Sequence, residues 1–306
     1  MRIVSLLPGA TEIVRALGLE GRLVGISHEC APPAGRPGLP RVTSSLIPNT
    51  LRSGDIDRVV RENANAKTPL YTLHRDILEE LHPDLIITQT LCRVCAVSEE
   101  EVHAVVRTLP QPPLVVDLES ASLHGLLSGI REVALKGGAI AEGERLVGDL
   151  ERRIERVVER GRRLSSPPRV AFIEWLDPLF SSGHWNPELV RLAGGIELLG
   201  IEGEAARTIA WEEVVAVQPD VLFISCCGFT VERTLEDLPA LTGLPGFRDL
   251  PAVRQGLVFI TDGSRFFSSP GPELVDSLEI LAHALDPAIH PPAHGLPEAR
   301  RVELSS

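Results

Sequence analysis

The sequence lacks the features that mark several large protein classes. Its 306 residues contain no run of the roughly 18 apolar residues that a membrane-spanning helix requires. No basic stripe exists to neutralise phosphates, since the formal net charge is −12 and residues 152–163 alternate Arg with Glu. A phosphate-binding glycine loop, a recognisable Ser-His-Asp arrangement and an HExxH motif are also missing. We therefore exclude nucleic acid as a partner and expect no membrane insertion.

A disulfide framework and a secretion signal are missing as well. The five cysteines are an odd number and include a CxxC and an adjacent pair, which suits a reducing compartment. Directly after Met1, residues 2–6 have the pattern of a core strand rather than the basic, apolar and small-residue regions of a signal peptide. We expect a cytoplasmic protein, and a periplasmic or cell-surface location is the alternative if the natural start lies upstream.

What the chain does contain is one pattern that occurs twice. Residues 76–95 and residues 212–227 each show an apolar helix, a Pro-Asp turn, a buried strand and cysteines at the exit of the strand. In open α/β sheets, ligands bind at the carboxyl ends of the strands. Two such units predict two lobes whose strand ends face one cleft.

Strand and helix patterns alternate on both sides of a central helical region, which is typical of parallel βαβ units. In that region, apolar residues follow helical spacing over residues 139–162, and such a helix is about 36 Å long. We predict an α/β fold of two Rossmann-like lobes with parallel sheets, joined by this helix. The predicted units are an N-terminal α/β lobe (1–120), a bridging helix region (121–164), a C-terminal α/β lobe (165–286) and a flexible tail (287–306). Residues 31–54, rich in Pro, Gly and Ser, predict a long loop with one short strand at 41–44.

All five cysteines lie just after predicted strand ends; they are Cys30, Cys92, Cys95, Cys226 and Cys227. The commonest role of a free cysteine is that of a small buried hydrophobe. This role suits Cys226 or Cys227, because one of two neighbours on an extended chain must point inward. It suits Cys92 and Cys95 less well, because loop residues are seldom deeply buried.

Three functional roles compete for these cysteines. Cys30, Cys92 and Cys95 with His28 predict a tetrahedral zinc or iron site, although structural zinc sites normally show a second cysteine pair. A thioredoxin-like redox role requires the first cysteine at a helix N-terminus. The third role is a thiolate or imidazole that ligates the metal of a bound chelate, such as corrinoid cobalt or heme iron. The sequence leaves all three open.

Polar residues at predicted strand ends are further binding candidates. Asp262 and Arg265 can bond the carboxamides or carboxylates of a ligand. Gln89 directly follows the buried strand of the first repeated unit. His184 can contact a ligand or form a hydrogen bond within its own loop. Glu174 ends a buried strand, and a buried carboxylate needs partners.

Several motifs together resemble one known family. They are Ser5-Leu6-x-Pro8-x-x-Thr11-Glu12, Ala16-Leu17-Gly18, Leu23-Val24-Gly25-Ile26-Ser27, Gly194-Gly195 and Ser269-Pro270-Gly271-Pro272. With the helix-Pro-Asp-strand unit, they are similar to class III solute-binding proteins, the ABC-transporter receptors for cobalamin, iron-siderophores, heme and metal ions. The resemblance covers about residues 2–286 and is closest to the cobalamin-binding branch.

The resemblance implies two α/β lobes joined by one long rigid helix, with a ligand held between the lobes. In the exported relatives, an acidic residue on each lobe pairs with arginines of the membrane permease. The corresponding positions here are Asp76 and Glu212, and the alternative role for both is stabilisation of a helix N-terminus. An ABC permease is a partner only if this protein is exported.

The aromatic content departs from that family. The cobalamin receptors hold the corrin between aromatic side chains, whereas this chain has only 3 Trp, 1 Tyr and 8 Phe, and none of them lies in the N-terminal loops at residues 28–54 and 88–98. The resemblance therefore implies an asymmetric cleft. Its C-terminal half consists of Trp175, His184, Trp185, Cys226, Cys227, Asp262, Arg265, Phe266 and Phe267. Its N-terminal half consists of His28, Cys30, Gln89, Cys92 and Cys95.

We predict a non-catalytic binding protein that holds a cobalamin-like corrinoid or another metal chelate between two lobes. Within the binding class, the alternative is an exported cobalamin or iron-chelate uptake receptor. From a different class, the alternative is an enzyme that uses the cleft cysteines for thiol- or metal-dependent chemistry.

Overall fold

The computed structural model describes residues 1–48, 51–66, 68–89, 97, 99–118 and 121–303. The strands in these ranges are β1 (Ile3–Ser5), β2 (Leu23–Ile26), β3 (Thr43–Ser45), β4 (Tyr71–Leu73), β5 (Leu85–Thr88), β6 (Leu114–Asp117), β7 (Arg169–Leu176), β8 (Leu179–Ser181), β9 (Ile196–Glu197), β10 (Val221–Ile224), β11 (Val258–Ile260) and β12 (Arg300–Arg301). The α-helices are α1 (Pro8–Ala16), α2 (Ser53–Ala66), α3 (Arg75–Leu81), α4 (Glu99–Val106), α5 (Leu123–Gly137), α6 (Ile140–Gly161), α7 (Asn186–Leu192), α8 (Trp211–Val217), α9 (Val231–Thr242), α10 (Pro251–Arg254) and α11 (Glu273–Leu285).

The sheet of the N-terminal lobe has four parallel strands in the order β2-β1-β5-β6. Its register aligns Ile3 with Leu85 and Leu85 with Leu114. All residues of β5 are buried, as expected for a parallel strand that helices cover on both faces. A strand buried in this way needs apolar side chains in succession, which explains why its sequence is continuously apolar.

A short antiparallel ribbon lies beside this sheet. Strands β3 and β4 pair Thr43 with Leu73 and Ser45 with Tyr71. A single bridge between Ile26 and Arg41 connects the ribbon to the end of β2. The ribbon therefore brings Tyr71 to the carboxyl edge of the N-terminal sheet, next to the residues that follow β2.

The sheet of the C-terminal lobe has the order β12-β11-β10-β7-β8, with β9 paired to β7. Strands β9, β7, β10 and β11 are parallel, whereas β8 and β12 pair antiparallel at the two ends. The predicted α/β fold of two lobes is confirmed, with the difference that this second sheet is mixed rather than wholly parallel.

Helix α6 joins the lobes. Its 22 residues extend over roughly 33 Å at the usual helical rise. It buries Val147, Leu150 and Val157 in a core cluster that also contains Leu85 of the N-terminal sheet and Phe223 of the C-terminal sheet. Because one apolar core continues through both lobes, α6 is a structural part of each lobe and not a loose tether.

The N-terminus of α2 also crosses between the lobes. Asp237 Oδ2 accepts a hydrogen bond of 2.9 Å from the Ser53 amide, and Arg233 donates one of 2.9 Å to the Leu51 carbonyl. Ile56 packs against the apolar cluster of the C-terminal lobe. We call residues 51–56 the strap, because they attach an N-lobe segment to the C-lobe.

The chain after Asp286 differs from the predicted flexible tail. Strand β12 pairs with β11, and the His290 side chain is 2% exposed. His283 Nδ1 lies 2.8 Å from the carbonyl of His290. This segment is rich in Pro and His, yet it packs against the lobe. The domain boundaries themselves stay a prediction.

No helix within the described ranges has the length and apolar character needed to cross a bilayer.

Candidate functional site

The carboxyl ends of the parallel strands in the two sheets face each other. The start of α1 contacts the loop before α11, where Ser269 Oγ accepts a hydrogen bond of 2.8 Å from the Gly9 amide. At the end of β7, the Trp175 indole donates a hydrogen bond of 3.3 Å to the Ser53 carbonyl in the strap. The residues that follow the strands of both lobes therefore border one cleft, which is the arrangement that ligand sites of open α/β sheets use.

His28 lies at the N-lobe side of this cleft in a fixed orientation. Thr43 Oγ1 lies 2.8 Å from its Nδ1 and accepts a hydrogen bond of 3.0 Å from its amide. Burial, together with the positive charge of Arg41, lowers the pKa of the imidazole. The imidazole is therefore neutral at neutral pH. Its Nε2 lies 3.9 Å from Oε1 of Glu29.

Tyr71 and Glu29 are two site residues that the sequence analysis did not identify. The Tyr71 ring centroid lies 5.4 Å from that of His28. Glu29 is 42% exposed, yet the surrounding protein desolvates its carboxyl and raises its pKa to about 7. The sequence pattern could have identified Tyr71. Apolar and polar residues alternate over 71–73, which predicts a short strand with Tyr71 on its buried face.

Cys30 does not occupy the position of a metal ligand. Its side chain is 2% exposed and belongs to the apolar core. Thr11 Oγ1 donates to its sulfur at 3.2 Å, and Ser27 Oγ lies 3.3 Å away. Burial raises the pKa of the thiol, which disfavours the thiolate that a metal requires.

The described part of the structure does not bring the other residues of the predicted metal site together. Among them, no cluster of three or more His, Cys, Asp or Glu side chains is arranged to hold a metal ion. Cys92 and Cys95 lie outside the described residues, so their role stays a prediction. Gln89 is buried at the end of β5, at the same sheet edge as His28.

The adjacent pair at the end of β10 has one inward and one outward member. Cys226 is 1% exposed, and burial raises the pKa of its thiol to about 12. Cys227 is partly exposed, and its amide donates a hydrogen bond of 3.2 Å to the Glu174 carbonyl. Only Cys227 can therefore present its side chain towards the cleft.

Trp175 is the aromatic residue of the C-lobe that borders the cleft. Its ring centroid lies 4.8 Å from that of Phe229. Its indole N–H donates to the Asp177 carbonyl at 3.0 Å as well as to the strap. The side chain is only partly buried, so part of its surface remains accessible.

The other predicted aromatic residues lie in the core instead. Trp185, Phe266 and Phe267 are 5%, 1% and 2% exposed. The Trp185 indole donates a hydrogen bond of 2.7 Å to the Phe267 carbonyl. The Phe267 ring packs against Phe172 and Phe223, with centroids 5.5 and 5.4 Å away. The prediction that these three form a ligand platform is wrong, because the sheet and its helices enclose them.

The polar candidates of the C-lobe mainly organise their own loops. Asp262 Oδ1 accepts a hydrogen bond of 2.9 Å from the Ser264 amide. Arg265 is exposed and lies over the ring of Phe266 at 5.0 Å. His184 is partly buried with a φ of 52°, and burial lowers its pKa.

The carboxylate of Glu174 has the partners that its position demands. Its Oε1 accepts hydrogen bonds of 2.8 Å from the Gly183 amide and 2.7 Å from the Asn186 side chain. Glu174 therefore holds the loop between β8 and α7 at the cleft.

Asp76 and Glu212 occupy matching places on the two lobes. Each is exposed in the first turn of a seven-residue helix, α3 or α8, that precedes a buried central strand. The Pro-Asp turn after each helix is held in the same way. Asp84 accepts a hydrogen bond of 2.6 Å from the Arg2 amide, and Asp220 accepts one of 3.0 Å from the Arg169 amide. The repeated sequence pattern thus corresponds to a repeated structure.

The chain has relatives among curated proteins. It is 25% identical to the vitamin B12-binding protein of Vibrio cholerae serotype O1 over 227 residues, which are 73% of this chain and 70% of that protein.

Solved structures with the same fold include two periplasmic heme-binding proteins. RhuT from Roseiflexus sp. RS-1 has a TM-score of 0.70 and 26% identity, with 94% of this chain and 98% of that chain covered. The protein from Pseudomonas aeruginosa has a TM-score of 0.74 and 19% identity, with 99% of each chain covered. The second likeness shows the fold alone.

The comparisons also correct the predicted location. RhuT is described as periplasmic, and the family model that matches residues 3–264 is described as periplasmic binding protein. The prediction of a cytoplasmic protein is therefore wrong, because an odd number of cysteines is weak evidence about the compartment. The match spans both sheets and α6, and the chain belongs to the periplasmic binding protein family, as its resemblance to class III solute-binding proteins predicts.

Proposed function

We propose that this protein binds a flat, metal-containing macrocycle, a corrinoid or a heme, in the cleft between its lobes. The observation that carries the proposal is one partly exposed ring on each side of the cleft, each packed against a buried aromatic ring. His28 packs against Tyr71 in the N-lobe, and Trp175 packs against Phe229 in the C-lobe. The relatives that are described as vitamin B12-binding and heme-binding proteins support this choice of ligand.

The physical reason is the shape and polarity of such a ligand. A macrocycle has two broad apolar faces and a polar rim, so it gains most from aromatic surfaces on both faces and polar groups at the edge. Glu29 follows β2 in the N-lobe, and Cys227 follows β10 in the C-lobe. Both side chains are at least partly exposed and offer polar contacts to the rim of the ligand. The neutral imidazole of His28 has its Nδ1 held by Thr43, which leaves Nε2 to donate to the ligand or to coordinate its metal.

We further propose that the loaded protein delivers its ligand to an ABC permease. Members of this family bind small-molecule ligands and work with such permeases. Asp76 and Glu212 are exposed on matching helices of the two lobes. Two carboxylates placed in this way suit a partner with an arginine on each of two subunits. Binding followed by transfer, rather than catalysis, is the function that this arrangement serves.

The test is a spectroscopic titration of the purified protein with dicyanocobinamide, cyanocobalamin and hemin. We expect one of them to change its visible spectrum on binding, with one molecule bound per chain. Trp175→Ala should weaken that binding at least about tenfold, since base or macrocycle stacking on one aromatic ring contributes roughly 1–3 kcal/mol.

Trp175→Phe is the matched control, because it keeps an aromatic face and should retain most of the affinity. If none of the three compounds binds, the proposed ligand class is wrong. If a compound binds equally well to wild type and Trp175→Ala, the C-lobe pair is not the contact surface.

A further inference from the structure

The lobes are in direct backbone contact on the cleft side of the two sheets. The α1 helix begins without a side-chain cap of its own, and the amide of Gly9 is satisfied by Ser269 of the other lobe at 2.8 Å. The approach is so close that a Cβ on Gly271 would lie 2.9 Å from the Cα of Gly9. Any opening of the lobes must separate α1 from the loop that leads into α11.

Two carboxyl groups meet across this contact. Glu12 belongs to α1 of the N-lobe, and Glu273 is the first residue of α11 in the C-lobe. The Glu12 carboxyl lies close enough to act on the Glu273 carboxyl through its charge and through a hydrogen bond. A hydrogen bond between two carboxyl groups requires that one of them carries a proton, because two ionised carboxylates offer only acceptors.

The neighbouring charges decide which carboxyl keeps the proton. On the N-lobe side, Arg15 donates to both oxygens of Glu12 at 2.8 and 3.0 Å and lies 3.7 Å from Glu20. Both oxygens of Glu12 are thus already hydrogen-bond acceptors. Because the pKa of Glu273 is raised to about 7, the shared proton resides on Glu273, which donates it to the Glu12 carboxylate.

On the C-lobe side, the nearby cation has other partners. Arg153 of α6 donates to Asp276 at 2.5 Å and to Glu279 at 2.7 Å. Burial, followed by the negative charges of Glu12 and Asp276, raises the pKa of Glu273 to about 7. The side chains that act most strongly on Glu273, those of Glu12 and Asp276, are therefore both carboxyl groups.

We propose that Glu12 and Glu273 form a proton-dependent lock between the two lobes. With the proton shared, the carboxyls hold α1 against the loop before α11 and keep the lobes together. Without it, two carboxylates repel each other at the same contact, and the lobes separate more readily. The lock sets how easily the cleft opens, whichever ligand the cleft holds.

The raised pKa of Glu273 decides whether the lock is stronger at low or at high pH. A carboxyl whose pKa is raised in the folded protein contributes stability that is fully present below its unfolded pKa, near 4.5, and is lost as the pH rises through about 7. The lock is therefore closed at pH 6 and released at pH 8.5. Two carboxyl groups with ordinary pKa values would give the same stability at pH 6 and at pH 8.5.

Native-state hydrogen exchange at pH 6 and pH 8.5, corrected for intrinsic exchange rates, tests the lock in the full-length protein. In wild type, we expect the amides of the first turn of α1 and of residues 268–275 to be at least about tenfold better protected at pH 6, which corresponds to one unit of pKa. In Glu273→Gln and in Glu12→Gln, an amide donates to the remaining carboxylate at every pH. Their protection at these amides should not depend on pH.

Glu132→Gln, an exposed glutamate on α5, is the matched control and should behave like wild type. Equal protection of the wild-type contact at both pH values overturns the proposal. So does a pH dependence that survives in both amide variants, and the second variant decides the matter if the first does not fold. None of these outcomes depends on ligand binding, so failure of the lock is distinguishable from failure of the proposed function.

Discussion

At the scale of single residues, Gly9 shows how closely the two lobes approach. A Cβ at this position would lie 2.5 Å from the Pro270 carbonyl oxygen and 2.8 Å from Ser269 Oγ. The first of these atoms belongs to the backbone, so it cannot move aside without shifting the loop before α11. Gly9 is therefore required by the contact between lobes and not by its own helix.

Gly9→Ala should destabilise the protein by about 2 kcal/mol, as overpacking against a fixed backbone does. Gly21→Ala is the control, because a Cβ there meets no atom within 4 Å and should change the stability by less than about 0.5 kcal/mol. Urea unfolding of both variants measures the difference. A Gly9→Ala protein as stable as Gly21→Ala would show that the lobes do not make this contact in solution.

Residue positions in the candidate site were only partly predictable. Counting from strand ends places Trp175 and Phe267 equally well at the edge of the C-lobe sheet. The structure leaves Trp175 partly exposed but encloses Phe267 among Phe172 and Phe223. Which side of a loop faces the cleft depends on how helices distant in sequence cover that loop. The position of a residue relative to the end of its strand contains no such information.

At the scale of elements, the repeated unit was predictable because its cause is local. Apolar helix, Pro-Asp turn and buried strand follow each other within about a dozen residues in both lobes, and α3–β5 and α8–β10 form where the pattern predicts. The α2 helix was not predicted. Its start at Ser53 is fixed by Asp237, 184 residues away in sequence, and a contact of that range leaves no local signal.

The strap offers a prediction about α2. Asp237 is 5% exposed and accepts from the Ser53 amide, while Arg233 lies 3.1 Å from it. Asp237→Ala removes the cap of α2 and leaves Arg233 without this partner. Amides at the start of α2 should then exchange at least about tenfold faster, whereas those of α3 should not change.

Glu236→Ala is the matched control for the strap, because Glu236 is the adjacent carboxylate and its side chain is 67% exposed. Its exchange should resemble wild type. Unchanged exchange in Asp237→Ala would mean that Ile56 and the Trp175 contact hold the strap without the charged pair.

At the scale of the whole molecule, the part of the chain that the structure describes joins the lobes through α6, through the strap and through the contact between α1 and the loop before α11. The strap and the α1 contact tie loops on the cleft side of the sheets, and α6 passes through the shared core. Large hinge motion is therefore not expected, and a ligand must enter with small local movements. This restraint keeps Asp76 and Glu212 at a fixed separation, so the two lobes can present both carboxylates to one partner at once.

Docking to a permease supplies the last prediction, which needs both lobes. Single charge reversals, Asp76→Arg or Glu212→Arg, should weaken binding to the proposed ABC permease in lipid nanodiscs. The double reversal should weaken it at least about tenfold, since like charges then oppose the arginines proposed for that permease. Ligand affinity should be unchanged, because both side chains are exposed in the first turns of α3 and α8 and neither is among the residues proposed to contact the ligand. Glu132→Arg on α5 changes the net charge as much as one single reversal does and should leave docking intact. If the double reversal docks as well as Glu132→Arg, the two carboxylates do not bind the permease. Their remaining role is then to stabilise the N-termini of their helices.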